Sequence, residues 1–214
     1  MHAFPNIAQN FSSSQRLCER AILAPCNDAV DKINWDFLKV LPGQEQFFKS
    51  IDTVIDQDQA VVFPTEFLNS LRPSGMPLPN LTLKNGAPTM LLRNLDPPRL
   101  VVKAIQSHVL EVAIITGKYM VKDGFIPPIP LILSDPAFEF KRLQFPVKLS
   151  FAMSINKCQR QSLTVVRLNF AFPCFSHGQL YVGWSQFGCP KTLFMCTPVK
   201  GHTENIVYLE VLQN

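Results

Sequence analysis

The chain has 214 residues, 47% of them hydrophobic and 17% charged, with a net charge of +4. That composition excludes a disordered chain and allows a sizeable core in one or two domains. The charge is uneven: residues 1–70 carry five basic and nine acidic side chains, and residues 71–214 carry fifteen and seven. The resulting balance of +8 in the C-terminal two-thirds suits contact with phosphates, or is a solvated surface with chance asymmetry.

In chain order, residues 1–20 are mixed and lack the apolar run of a secretory signal. Residues 21–24 read as a short buried strand. Asn27 is placed to cap the following helix, in which Val30, Ile33, Phe37 and Leu41 recur at helical spacing up to Pro42-Gly43. Strand followed by helix predicts the opening of an α/β layer.

From about 44 to 147 the pattern turns β-rich. Residues 47–55 read as one strand and 65–71 as a short helix between prolines. Residues 89–93, 100–105 and 109–116 read as successive strands. Pro127, Pro128 and Pro130 make a stiff return. Residues 147–153 and 163–170 then read as strands, 177–184 as a short helix, and 192–195 and 206–211 as closing strands. Residues 168–190 carry no formal charge, yet Asn169, Pro173, His177 and Gln179 make the stretch too polar for hydrocarbon, so no membrane segment is expected. Six cysteines stand at 18, 26, 158, 174, 189 and 196 without a Cys-x-x-Cys pair. Free packed thiols are expected, and no metal site.

Two short runs carry the most information. The first is Ser154-Ile155-Asn156-Lys157-Cys158-Gln159-Arg160-Gln161-Ser162. The second is Tyr181-Val182-Gly183-Trp184-Ser185-Gln186, introduced by His177-Gly178-Gln179-Leu180. Together they resemble the last two motifs of the Pif-one-like DNA helicases, with the form carried by Helitron transposons closest. The runs Phe63 to Leu71 and Leu83-Lys84-Asn85-Gly86-Ala87-Pro88-Thr89-Met90-Leu91-Leu92-Arg93-Asn94 are similar to that family's 2B domain. The resemblance covers residues 16 to about 212 and leaves 1–15 unassigned. It implies an α/β fold: a second RecA-like motor domain with an inserted small β-barrel. The domain would start over 16–60, be interrupted by the 2B-like insertion at 61–146, and resume over 147–214.

The resemblance includes departures. Where the family has glycine in the first motif, this chain has Arg160; where it has the arginine that reaches the γ-phosphate of ATP, this chain has Gln186. A glycine-rich turn that normally follows Asp96-Pro97-Pro98-Arg99 is missing, which puts the barrel geometry in question. The single Gly-Lys pair, Gly117-Lys118, is followed by Tyr119 and preceded at position 112 by Val, so it reads as a hairpin turn and not a phosphate loop. No catalytic residue is therefore assigned, and ATP and Mg²⁺ are expected in the intact family but not for this chain alone.

What remains is the coupling motif, Lys157, Gln159 and Arg160, and a set of DNA-binding candidates, Lys84, Arg93 and Lys103. Lys157 could meet a phosphate as a point charge or sit on an exposed loop. Phe63, Phe67, Tyr119 and Phe125 are stacking candidates that could equally be core. The implied partners are single-stranded DNA, G-rich sequence included, and a first RecA-like motor domain supplied by another chain. The family's setting is nuclear. Two functions stay open: an inactive helicase relic, or a stand-alone single-strand binding module.

Overall fold

The computed structural model describes residues 3–11, 13–56, 62–92, 97–117, 119–120, 122–134, 139–158, 163–185, 192–197, 206 and 208. The chain divides into two compact units, one of Met1–Leu41 with Leu149–Asn214 and one of Pro42–Lys148. The second unit thus begins at Pro42, ahead of the position 61 expected from the sequence.

The first unit is an α/β layer. Its four strands, β1 (Arg20–Ala24), β12 (Ala152–Ser154), β13 (Val165–Asn169) and β14 (Leu193–Cys196), lie in the order β12-β1-β13-β14, all parallel. Ile22 pairs with Ala152 on one side and Arg167 on the other. A strand flanked on both edges and covered on both faces must be apolar throughout, and Ala21, Ile22, Leu23 and Ala24 are all buried. Two short helices, α1 (Ile7–Asn10) and α2 (Ser14–Cys18), precede the sheet.

Helix α3 (Asn27–Val40) follows β1. Its cap position is Cys26, in extended conformation and without a side-chain cap; Asn27, expected as the cap, is the first helical residue. The periodicity is otherwise as expected: Val30, Phe37 and Leu38 are buried. Phe37 stacks on Phe151 at 5.6 Å, and Phe4 meets both rings edge-on. Asn34 lies on this same buried face. Its amide donates to the carbonyls of Leu149 and Ala152, both at 3.1 Å, and accepts from the Ala152 N–H at 2.8 Å. Residues 147–153 are therefore not one strand, because Ser150 and Phe151 separate β12 from β11 (Val147–Leu149).

The second unit is β-rich. β11, β5 (Pro88–Leu91), β6 (Arg99–Ile105), β7 (Leu110–Ile114) and β8 (Asp123–Ile126) form a five-stranded sheet in that order. β3 (Ile51–Val54), β10 (Glu139–Gln144) and β9 (Ile129–Ser134) form a three-stranded antiparallel sheet. β2 (Gln46–Lys49) pairs with β4 (Asn80–Leu83). Among the described residues these are three separate sheets and not one ring of strands. The single strand expected over 47–55 is broken at Ser50, whose N–H donates to the Pro79 carbonyl at 2.7 Å and whose hydroxyl donates to Asp52 at 2.7 Å. The chain changes sheets there. Despite the missing glycine-rich turn, β5 and β6 keep an antiparallel ladder, with Met90 opposite Arg99 and Thr89 opposite Leu100.

Beneath the three-stranded sheet lies a buried charge cluster. Arg142 and Asp52 are fully buried, with Nη2 to Oδ2 at 2.6 Å and Nε to Oδ1 at 2.9 Å. The guanidinium also donates to the carbonyls of Leu68 (2.9 Å), Pro77 (3.1 Å) and Leu71 (3.3 Å). It thereby fixes helix α4 (Thr65–Ser70) and the loop after it to β3 and β10. The closing strand expected at 206–211 falls largely outside the described residues.

Candidate functional site

Ligands of open parallel α/β sheets bind beyond the carboxyl ends of the strands. In the first unit, the connections described at that edge include Pro25-Cys26 after β1, a 3-10 helix (Ile155–Cys158) after β12, and residues 170–178 after β13. The first sequence motif supplies the second of these. Ile155 and Cys158 are buried while Asn156 and Lys157 face solvent, as the three-residue repeat of a 3-10 turn requires. The Cys158 thiol donates to the Ile155 carbonyl at 2.7 Å, and burial pushes it up to about 12. A serine hydroxyl would make the same bond, so the cysteine preserves the local geometry.

The second motif forms helix α5 (Gln179–Ser185). Gly178, in the left-handed region at φ 65°, turns the chain into it. Gln179 is buried; its amide donates to the Pro25 carbonyl at 2.9 Å and accepts from the Phe175 N–H at 3.1 Å. It ties the turn after β1 to the start of α5. On the inner face of α5, a Cβ built on Gly183 would lie 3.4 Å from Leu168 and 3.6 Å from Ile155. The two motifs, far apart in sequence, therefore pack together through Gly183 and Ile155. Tyr181 and Trp184 point outward. Gln159, Arg160 and Gln186 lie outside the described residues.

The structure revises the map of cations. Lys84, expected to meet phosphate, is buried, with its ammonium 3.4 Å from Glu45. Its stem follows Leu83 into the core, and its head meets the Glu45 carboxylate. Lys103 is exposed but bonded to Asp123 at 2.8 Å and lies 3.5 Å from Glu111. Strands β6, β7 and β8 place these three side by side. The Asp123 hydrogen bond and charge, with Glu111 adding to them, hold the Lys103 ammonium above its ordinary range. Arg93 lies outside the described residues. Besides Lys103, the exposed cations of this unit among the described residues are Lys49, Arg72, Lys122 and Lys141.

Of the stacking candidates, Phe125 is 69% exposed and Tyr119 57%, with the Lys122 ammonium 5.6 Å from the Tyr119 ring. Phe67 is exposed and lies 5.8 Å from the half-buried Phe63. Asn34 and Gln179 are the positioning residues that the sequence reading missed. The signal for Asn34 was a polar residue inside the apolar stripe of α3. Among the described residues no group of three or more His, Cys, Asp or Glu could hold a metal, and no helix is long and apolar enough to cross a membrane.

Residues 66–102 match the family model for the 2B domain of DNA helicase Pif1. The chain is 28% identical over 167 residues to the ATP-dependent DNA helicase PIF1 of Xenopus laevis, covering 74% of this chain and 24% of that protein. It is 31% identical over 200 residues to the Danio rerio protein of the same name, covering 84% of this chain and 28% of that one. The chain thus spans about a quarter of these relatives' length. Among solved structures, Pif1 helicase from Candida albicans matches with a TM-score of 0.66 at 20% identity, over 98% of this chain and 52% of that one. Bacteroides Pif1 bound to single-stranded DNA matches with a TM-score of 0.64 at 17% identity, over 98% and 52%. The α/β fold is shared with those structures, and the chain resembles a portion of these helicases, as its motifs indicated.

Proposed function

We propose that this chain, similar to a portion of Pif1-type DNA helicases, derives from the Helitron form and does not hydrolyse ATP alone. It would hold the second RecA-like motor domain, with the inserted 2B-like domain over residues 61–146, inside the β-rich unit of Pro42–Lys148. The observation that carries this reading is the packing of the two motifs against each other at the carboxyl edge of a parallel sheet. That is where a motor half would present its coupling segment.

ATP and Mg²⁺ would supply the driving chemistry in the intact family, and the residues present do not fit them. The 214 residues contain no Gly-x-x-x-x-Gly-Lys-Ser/Thr run, and position 186 offers a neutral amide where an arginine would balance phosphoryl charge. A first RecA-like domain would be needed for turnover, and the setting would be nuclear. Phosphate release with Mg²⁺, with and without single-stranded DNA, is the test. No turnover above buffer is expected, and activity that survives repurification would overturn the proposal.

A second reading, a single-strand binding module, is supported by the exposed cations and aromatics of the β-rich unit. Three or four phosphate contacts predict a slope of log affinity against log salt of about −2 to −3. Lys141→Ala should flatten it, and Lys103→Ala should not, because that ammonium is already held by Asp123. Fluorescence anisotropy over a salt series separates the readings: no binding at low salt leaves only the inactive relic.

A further inference from the structure

We infer that the open face of the three-stranded sheet β3-β10-β9 is a self-association surface, and that its occupant is a second copy of this chain related by a twofold axis. The inference needs nothing from the helicase reading.

The two faces of the sheet follow from strand alternation and register. Asp52, Arg142 and Leu131 stand in one row across it and Phe140 in the next, and all four are buried. The opposite face carries Ile51, Leu143 and Pro130 in one row, and Thr53, Lys141 and Ile132 in the next. Ile55, just past β3, and Glu139 continue it, with the Ile55 N–H donating to the Glu139 carbonyl at 3.1 Å. A half-covered antiparallel sheet ordinarily turns apolar side chains inward and polar ones to water. Here an ion pair sits inside, while Ile51, Ile132 and Ile55 are 62%, 54% and 48% exposed outside. Side chains directly opposite on neighbouring strands lie about 4.5–5.5 Å apart, so these residues form one patch and not scattered singles.

Charge decides what covers the patch. Lys141 and Glu139 are both exposed, two residues apart on β10, and neither forms a salt bridge among the described residues. A partner of one sign would leave one of them covered by a like charge. A second copy would not. With a twofold axis in the interface, perpendicular to β10 at Phe140, Lys141 of each copy meets Glu139 of the other, and the isoleucines pack around two ion pairs. That is the self-complementarity an isologous interface requires.

The sheet edge offers no competing route on this side. β9 is an edge strand, and Pro130 within it has no N–H to give to an added strand. Three strands about 4.8 Å apart and some five residues long make a small footprint. The dimer is therefore weak, with a dissociation constant of roughly micromolar or above. Lys141 is covered in it, so a second copy and a phosphate backbone exclude each other there.

The test is sedimentation equilibrium of the full chain without nucleic acid, from about 5 to 500 μM. A monomer–dimer equilibrium is expected. Lys141→Glu sets like charges opposite each other and should weaken association about tenfold or more. The double variant Glu139→Lys/Lys141→Glu exchanges the signs within each copy and should restore it to within about threefold of the parent. If Lys141→Glu misfolds by circular dichroism, Ile132→Ser decides in its place, and should weaken association about threefold or more by removing apolar area alone. A chain that stays monomeric over the whole range, a dimer indifferent to substitution in a folded variant, or a charge reversal that the double exchange does not restore overturns the inference.

Discussion

Asp52→Ala removes the anion from a guanidinium that has no route to water. Arg142 is fully buried, and Asp52 is its bidentate partner at 2.6–3.0 Å. Breaking a buried pair by deleting one member typically costs about 3–5 kcal/mol, because the surviving charge is left uncompensated. The three carbonyls of Leu68, Leu71 and Pro77 soften the loss but carry no full charge. Against a total stability of about 5–15 kcal/mol this is a large fraction. For a unit of this size it lowers the melting temperature by roughly 12 °C or more. Urea unfolding followed by far-UV circular dichroism reads the change. Tryptophan fluorescence serves as the internal reference, since Trp35 and Trp184 both belong to the α/β unit. The double variant Asp52→Leu/Arg142→Met sharpens the test. Apolar replacement of an ion pair can be neutral elsewhere. Here it strips the Leu71 and Pro77 carbonyls of this donor, at about 1–3 kcal/mol for each left buried and unsatisfied, while the Leu68 carbonyl still accepts from the Leu71 N–H. The double variant should therefore stay destabilised. A loss under about 1 kcal/mol for Asp52→Ala would refute the argument, and a double variant as stable as the parent would show that the carbonyl clamp contributes nothing.

Gly183→Ala should be tolerated and even raise stability by up to about 1 kcal/mol, since the new methyl meets Leu168 and Ile155 at ordinary contact distances and alanine favours the helix; a lower urea midpoint by fluorescence would contradict the packing. Cys158 has a folded value raised to about 12 by burial, against about 8.5 for a free thiol. Its contribution is thus fully present below about pH 8.5 and is lost as pH rises towards 12. The midpoint of the wild type should fall more steeply over that range than that of Cys158→Ala, and Cys158 should resist alkylation in the native state at neutral pH.

What the sequence revealed was whatever depends on neighbours along the chain. β1 and α3 were legible because four apolar residues followed by a 3.6-residue stripe leave few alternatives. The β-rich middle was legible from its turns and prolines, and the two motifs from their order of residue types. Breaks within strands were not. Residues 47–55 and 147–153 look continuous in hydrophobicity, yet the chain changes sheets at Ser50 and at Ser150-Phe151. The partners that enforce these breaks, Pro79 for Ser50 and Asn34 for Ala152, lie far away in sequence.

The same separation explains why cations were the hardest class to place. A lysine looks alike in sequence whether it faces solvent or a carboxylate. Glu45 lies well upstream of Lys84, and Asp123 lies two strands away from Lys103. Arg142 is the extreme case: ninety residues separate it from Asp52, and nothing within β10 distinguishes it from Lys141 beside it. Yet strand alternation sends Lys141 outward and Arg142 into the core. A positive charge balance over residues 71–214 therefore overstates the charge available to a phosphate backbone. Salt dependence should follow exposed cations such as Lys49, Arg72, Lys122 and Lys141, with Lys103 discounted for its Asp123 partner, and not the sum over the sequence.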